Sequence, residues 1–132
     1  DKGRLWRVAP NGTPIRAVPN LQAMSLSELV AALDTPNRWQ RDMAQQLLVE
    51  RDREAMVTVA EMGAAITSLE ELAGSSVHPE VRVQALWTLR TLNQSRAEPL
   101  VAALKDPHPG VRSNAIRLLE PFAKTNPKLV RA

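Results

Sequence analysis

The sequence of 132 residues contains no cysteine and no tyrosine, and its aromatic side chains are three Trp and one Phe. Without cysteine it can form no disulfide, no thiolate metal site, no thiol nucleophile and no covalent haem attachment. No apolar run reaches the roughly 18 residues that a membrane-spanning helix requires, and no signal-peptide pattern opens the chain. We therefore expect one domain that folds without a disulfide or a structural metal ion and does not insert into a membrane. Because the first residue is Asp1 and not Met, we expect a processed or excised part of a longer polypeptide.

The excess of positive charge lies in the first twenty residues of the chain. The formal net charge is +3, yet residues 21–132 hold thirteen basic and thirteen acidic side chains. A protein that binds a phosphate backbone needs a stripe of positive charge, and the body of this sequence shows none. We therefore expect no nucleic-acid partner.

The first 24 residues differ in character from the rest. They contain a strand-like run at Leu5, Trp6 and Val8, a turn signal at Asn11-Gly12, and three prolines in ten residues, which exclude a helix. The sequence therefore predicts an extended arm over residues 1–24.

From Ser25 onward, apolar residues recur with the period of an α-helix. Ser25 and Glu28 match a capping box, which marks a helix start. One apolar face continues from Ala55 to Ala73, which favours a single long helix there, although Ser68 and Glu71 leave a second helix start open. The predicted helices cover residues 26–33, 38–51, 54–73, 79–92, 98–105 and 110–120, with a stub after Pro127.

An internal repeat runs through the helical part. Residues 106–115 align without a gap on residues 76–85, with His, Pro, Val, Arg and Ala coinciding, and residues 36–48 align on 107–119. Repeats of this kind stack so that each unit contacts its neighbours. The sequence therefore predicts an all-α fold of three successive helical hairpins.

One motif in the third repeat resembles the HEAT-repeat signature in its short bacterial form; it reads Asp106-Pro107-His108-Pro109-Gly110-Val111-Arg112, followed by Ala115. The resemblance covers residues 25–132. It is looser in the first copy, where Arg38 stands for the second proline and Gln40 for the valine. It implies an α-solenoid of about three HEAT-like hairpins with an extended N-terminal arm.

A narrower likeness involves residues 38–51 and 85–89, which resemble the HEAT segment of large bacterial membrane-bound dehydrogenase-like proteins. In that family the segment lies between a sugar-dehydrogenase-like β-propeller and a c-type cytochrome domain. The resemblance implies that residues 3–8 match the closing strand of the propeller and that the protein is periplasmic or exported. No residue here matches a propeller cofactor site or a haem motif, so we expect no cofactor in this chain.

Two histidines, His78 and His108, occupy equivalent repeat positions. Helices in adjacent repeats are about 8–10 Å apart, whereas a zinc ion binds imidazole nitrogens at about 2.0–2.1 Å. Because no third ligand lies nearby in the sequence, we interpret both as polar turn residues before proline, and we expect no metal site and no catalytic residue.

Three arginines recur once per repeat at the start of each second helix: Arg41, Arg82 and Arg112. At 100° per residue, Arg41 lies about 60° from Ala44, the centre of the buried face. Its guanidinium is expected to reach the turn between the helices, where Asp106 is a plausible acceptor for Arg112 beside the turn carbonyls. We predict a structural ladder; an anion site formed by the three arginines is the alternative.

Trp87 is the leading candidate for an interaction anchor. It lies about 200° round the helix from Ala85, on the side away from the predicted core. Val83 and Arg90 share that side, Arg117 is the equivalent residue of the third repeat, and Trp39 is a weaker second candidate. Aromatic and arginine side chains are enriched in protein interfaces. Packing of Trp87 sideways on a neighbouring helix, such as the one predicted over 54–73, is the alternative.

These features predict a non-catalytic scaffold that binds another protein or a neighbouring domain of the same polypeptide. The alternative is an auxiliary structural segment of a multidomain oxidoreductase whose catalytic and haem domains lie outside this chain.

Overall fold

The computed structural model describes residues 8, 10–12, 14 and 17–125, with only the backbone of Thr125, and these contain helices and no strand. A short 3-10 turn, Leu21–Ala23, precedes six α-helices: α1 (Leu26–Ala31), α2 (Arg38–Arg53), α3 (Val59–Ser75), α4 (Pro79–Thr91), α5 (Ala97–Ala103) and α6 (Pro109–Thr125). The prediction of an all-α fold is confirmed for this part of the chain. The strand-like run at Leu5 and Trp6 and the stub after Pro127 lie outside the described residues.

The six helices pack as three consecutive pairs. Within the pairs, α1 contacts α2, α3 contacts α4, and α5 contacts α6. Between pairs, the first helices contact one another in the order α1, α3, α5, and the second helices do so in the order α2, α4, α6. A single apolar core runs between the two rows, and its fully buried leucines are Leu29, Leu33, Leu48, Leu69, Leu86 and Leu100. Among the described residues, no helix is both long enough and apolar enough to cross a membrane.

The end of the predicted arm belongs to the helical body. Leu21 is buried in the 3-10 turn, which packs against α2. The Arg51 guanidinium donates one hydrogen bond to the carbonyl of Met24 and another, of 2.9 Å, to the carbonyl of Gln22. These main-chain contacts hold residues 21–24 against α2 because they satisfy carbonyls that an extended arm would leave to water.

The long helix begins later than its apolar pattern predicts, at Val59 and not near residue 54. Ala55 has a left-handed backbone (φ 51°) and ends α2, where the Met56 N–H donates to the Arg51 carbonyl. Asn93 has the same role after α4, with a φ of 56°. Such a reversal satisfies the last carbonyls of a helix and stops it. From Val59 to Ser75 the segment is one helix, so the favoured prediction of a single helix is confirmed there and the alternative start at Ser68 does not occur.

The last described helix continues beyond its predicted end at Glu120. Pro121 lies inside α6 and lacks the N–H that would bond to the Arg117 carbonyl. The helix continues because Phe122, one residue later, is half-buried and packs against the core. The other predicted boundaries agree with the structure within two residues.

Two capping boxes define the starts of α1 and α3. In the second, the Thr58 hydroxyl accepts from the Glu61 N–H at 3.2 Å, and the Glu61 carboxylate accepts from the Thr58 N–H at 2.8 Å. These hydrogen bonds lower the pKa of Glu61, as the equivalent bonds from Ser25 lower the pKa of Glu28. The first helix row is therefore anchored by local hydrogen bonds at each of these two starts.

We expect Thr58→Ala to lower the free energy of unfolding by about 1 kcal/mol, because an N-cap acceptor is lost. Urea denaturation followed by circular dichroism measures the change. The matched control is Thr67→Ala, since Thr67 lies exposed within α3 and its hydroxyl donates to the Gly63 carbonyl. That control is expected to be neutral or slightly stabilising because alanine is the better helix former. Equal effects of the two substitutions would contradict the capping role.

Candidate interaction groove

Each repeated arginine makes the same contact with the turn inside its own helix pair. Its Nη1 donates a hydrogen bond to the carbonyl of the residue six positions earlier, which satisfies a main-chain acceptor in the turn. The three bonds join Arg41 to Thr35 at 2.7 Å, Arg82 to Ser76 at 2.7 Å and Arg112 to Asp106 at 2.8 Å.

Arg82 also joins the second helix pair to the third. Its Nε and Nη2 donate to the two oxygens of Asp106 at 2.7 and 2.8 Å, and the side chains of this ion pair retain only 10% and 9% of their exposure. The hydrogen bonds from Arg82 hold the pKa of the Asp106 carboxyl below its ordinary value, and those bonds raise the pKa of Arg82. Asp106 therefore accepts from Arg112 through its main-chain carbonyl, as the turn carbonyls were expected to do, whereas its carboxylate binds Arg82 and forms no ion pair with Arg112.

Arg41 joins the first pair to the second through an amide instead of a carboxylate. Its Nε donates to Oε1 of Gln84 at 3.1 Å. The Nε2 of Gln84 in turn donates to Asp42 at 3.0 Å and to Gln45 at 2.8 Å. Two equivalent arginines, Arg41 and Arg82, therefore have different charge environments: one faces neutral acceptors and the other a carboxylate.

Arg112 is half-buried and donates to the carbonyls of Asp106 and Pro107. Each of the three arginines therefore contacts the turn of its own helix pair, and two of them, Arg41 and Arg82, also contact the next pair.

An open groove crosses the row of second helices beside this ladder. Its volume is about 570 Å³, and Val83 and Trp87 contribute its apolar wall. Trp87 retains 38% of its exposure, and its indole N–H donates to Oδ1 of Asn114 on α6 at 2.9 Å. This hydrogen bond ties the indole to the neighbouring helix α6. The other lining residues are Arg38, Arg41, Asp42, Gln45, Pro79, Glu80, Gln84, His108, Gly110 and Asn114.

The groove contains part of the surface predicted from the sequence. Val83 and Trp87 lie in it together. Arg90 and Arg117 are exposed but do not line it, and Trp39 is exposed in the first turn of α2, also outside it. The helical angle separates buried from exposed sides, but it cannot say which exposed side chains border one concavity.

The polar floor of the groove was not identified from the sequence. Gln84 and Asn114 occupy equivalent repeat positions, two residues after Arg82 and Arg112. The sequence signal for these residues is a polar side chain at the same position of two repeats. Its meaning depends on the neighbouring helix, since Gln84 contacts α2 whereas Asn114 contacts Trp87 on α4.

The two histidines lie in turns, each directly before its helix. The backbone N–H of Gly110 donates to Nδ1 of His108 at 3.2 Å, so this imidazole caps α6. His78 is half-buried at the N-cap of α4. Within the described ranges, no group of three or more His, Cys, Asp or Glu side chains is placed to hold a metal ion.

A second depression, of about 600 Å³, lies between α3 and α5. Its main polar feature is the ion pair between Arg96 and Glu70, in which Arg96 is largely exposed. Surface ion pairs contribute little to stability, and no arginine of the ladder lines this depression. The groove on the second helices is therefore the stronger candidate.

Comparison of the chain with known proteins found no matching family model, no matching curated protein and no matching solved structure. Function is therefore inferred from the geometry of the described residues. Three features carry it: the repeated arginine contacts, the two rows of helices, and the groove across the second row.

Proposed function

We propose that this chain is a non-catalytic interaction scaffold, a HEAT-like α-solenoid of three helix pairs whose second-helix row binds another protein or a neighbouring domain of the same polypeptide. The observation that carries the proposal is the groove. It is lined by equivalent turns of α2, α4 and α6, so the repeat architecture itself builds a continuous binding surface.

The solenoid arrangement is supported by contacts that recur from pair to pair. First helices contact first helices, and second helices contact second helices. The Nη1 bond to the carbonyl six residues earlier recurs at Arg41, Arg82 and Arg112. Such repetition is typical of arrays in which each unit packs on its neighbours.

Three carboxylates of the chain are poorly suited to acid–base catalysis. A general acid or base works best with a pKa near the working pH. In this chain the pKa values of Glu28, Glu61 and Asp106 are lowered, because these side chains accept hydrogen bonds in two capping boxes and one ion pair. These three carboxylates stabilise the fold.

The charges in the groove favour a protein partner over a nucleic acid. Arg38 and Arg41 supply two positive charges, and Asp42 and Glu80 supply two negative charges in the same concavity. A phosphate backbone would be repelled by the two carboxylates, whereas mixed charges around an apolar wall are ordinary for protein interfaces.

Selection of a random peptide library on the immobilised chain tests the proposal. We expect enriched peptides whose binding is weakened at least tenfold by Trp87→Ala, since a central tryptophan commonly contributes more than 1.4 kcal/mol to an interface. Val83→Glu, which places a charge on the apolar wall, is expected to weaken the same peptides.

Arg90→Gln is the matched control, because Arg90 is exposed on α4 outside the groove. Circular dichroism checks that each variant is folded. Failure to enrich any peptide, or binding that Arg90→Gln weakens and Val83→Glu does not, would contradict the groove as the binding surface.

A further inference from the structure

We propose that the groove recognises an acidic peptide segment, in which one Asp or Glu carboxylate binds Arg41 and an apolar side chain close to it packs on Trp87 and Val83. This inference rests on the proposed function and adds the chemistry of the partner.

The first argument is the difference between two equivalent arginines. Arg82 is buried and has both oxygens of Asp106 as partners. Arg41 is buried to the same degree, with 6% of its exposure left, yet it donates only to a carbonyl and an amide oxygen. A buried charge is costly unless a counter-charge compensates it. Arg41 therefore gains more than Arg82 from a carboxylate that arrives from outside.

The second argument concerns the guanidinium nitrogen that is still available. Nη1 and Nε of Arg41 donate to Thr35 and Gln84, whereas Nη2 makes no hydrogen bond within the described part of the chain. There, every fully shielded nitrogen or oxygen of the buried and half-buried side chains has a hydrogen-bond partner. Nη2 is therefore not completely shielded, and Arg41 lines the groove.

The neighbouring charges limit the site to one carboxylate. The Asp42 carboxylate is already engaged, since it accepts from Gln84 and lies 3.4 Å from Nε of Arg38. The Gln84 amide separates it from Arg41. Glu80 lines the same groove and repels further negative charge. A segment with a single acidic side chain fits this balance better than a polyanion does.

The spacing of the polar and apolar parts fits an extended peptide. The Arg41 side chain donates to Gln84 on α4. Trp87 follows Gln84 by three residues, so the Cβ atoms of Gln84 and Trp87 lie about 5–6 Å apart on one face of α4. Alternate side chains of an extended chain point the same way and are about 6.6 Å apart. The simplest probe with this alternation has an acidic residue, any residue, and then an apolar residue.

Nuclear magnetic resonance titration of the whole chain tests this motif. The probes are two blocked peptides, acetyl-Gly-Asp-Gly-Leu-Gly-amide and the same peptide with Asn in place of Asp. We expect the acidic peptide to shift the Nε–H resonances of Arg41 and Trp87 and to bind about tenfold more tightly, because hydrogen bonds to charged groups are stronger than those to neutral ones.

Gln45→Glu provides a variant that keeps the shape of the groove. The Gln45 oxygen accepts from Gln84, and a glutamate can accept the same bond while adding a negative charge. It is expected to weaken the acidic peptide several-fold and to affect the Asn peptide less, because only the acidic peptide carries a charge that the new carboxylate repels. Arg41→Gln is expected to remove the preference for the acidic peptide, and Arg90→Gln to preserve it.

Equal affinity for the two peptides would overturn the inference, and so would the absence of shifts at Arg41 and Trp87 with either peptide. The library selection tests the proposed function separately. Selected peptides that lack an acidic residue, and whose binding Val83→Glu weakens, would support the groove as the binding surface and refute its preference for acidic peptides.

Discussion

Arg82→Met is expected to lower the free energy of unfolding by about 3–5 kcal/mol, because it leaves the Asp106 carboxylate buried without its partner. It also removes the donor to the Ser76 carbonyl, which is the link to its own turn. Urea denaturation followed by circular dichroism measures the loss.

Arg112→Met is the matched control, since Arg112 occupies the equivalent position but is half-buried and binds only carbonyls. Its cost is expected to be about 1.5–3 kcal/mol, the range for hydrogen bonds that involve a charged group. The double variant Arg82→Met with Asp106→Leu is expected to recover much of the loss, because no charge remains buried. Equal effects of the two arginine substitutions would show that the ion pair adds nothing to the turn contact.

The ion pair between Arg82 and Asp106 also makes part of the stability sensitive to acid. Because the pKa of Asp106 is lower in the folded protein than in the unfolded chain, the ion pair stabilises the fold fully above the unfolded value of about 3.9. This contribution disappears as the pH falls through the lower folded pKa. The difference between the wild type and Arg82→Met is therefore expected to be largest near neutral pH and to shrink as the solution is made acidic, because protonation of Asp106 removes the buried charge in the variant and the ion pair in the wild type. A difference that persists at low pH would contradict this coupling.

Leu48→Ala is expected to destabilise the protein by about 2–5 kcal/mol, because Leu48 is fully buried between the two helix rows and its truncation leaves a cavity. Leu89→Ala at the equivalent position of the second pair has the same expected range. The control is Ile116→Ala on α6, where 62% of the side chain is exposed and the expected change is within about 0.5 kcal/mol. A small effect at Leu48 would mean that the rows are not packed as the structure shows.

The helix assignments were predictable because they depend on local properties. Apolar spacing located α2 and α4 to within two residues, and the capping box at Ser25 marked the start of α1. The failures occurred at helix ends, where apolar spacing and the position of proline do not by themselves fix the boundary. Ala55 continues an apolar helical face in the sequence, yet its left-handed backbone ends α2. Pro121 signals a helix end, yet packing of Phe122 against the core carries the helix past it.

The candidate site was predictable only in part. The repeat alignment identified three equivalent arginines, and the turn carbonyls were among their expected acceptors. The alignment could not assign Asp106 to Arg82, because residues 24 apart meet only when the third helix pair stacks on the second. It placed Trp87 away from the core but did not show that the indole reaches Asn114 on α6.

The amino-acid sequence by itself determined the helical class, the threefold repeat and the place of one arginine in each repeat, because periodicity, capping and repetition are written in residue order. Tertiary structure alone decided which arginine received a carboxylate and which received an amide, and which exposed side chains share one groove. These outcomes depend on the distance between neighbouring helices and on the competition of several donors for one acceptor. Spacing along the chain does not contain that information.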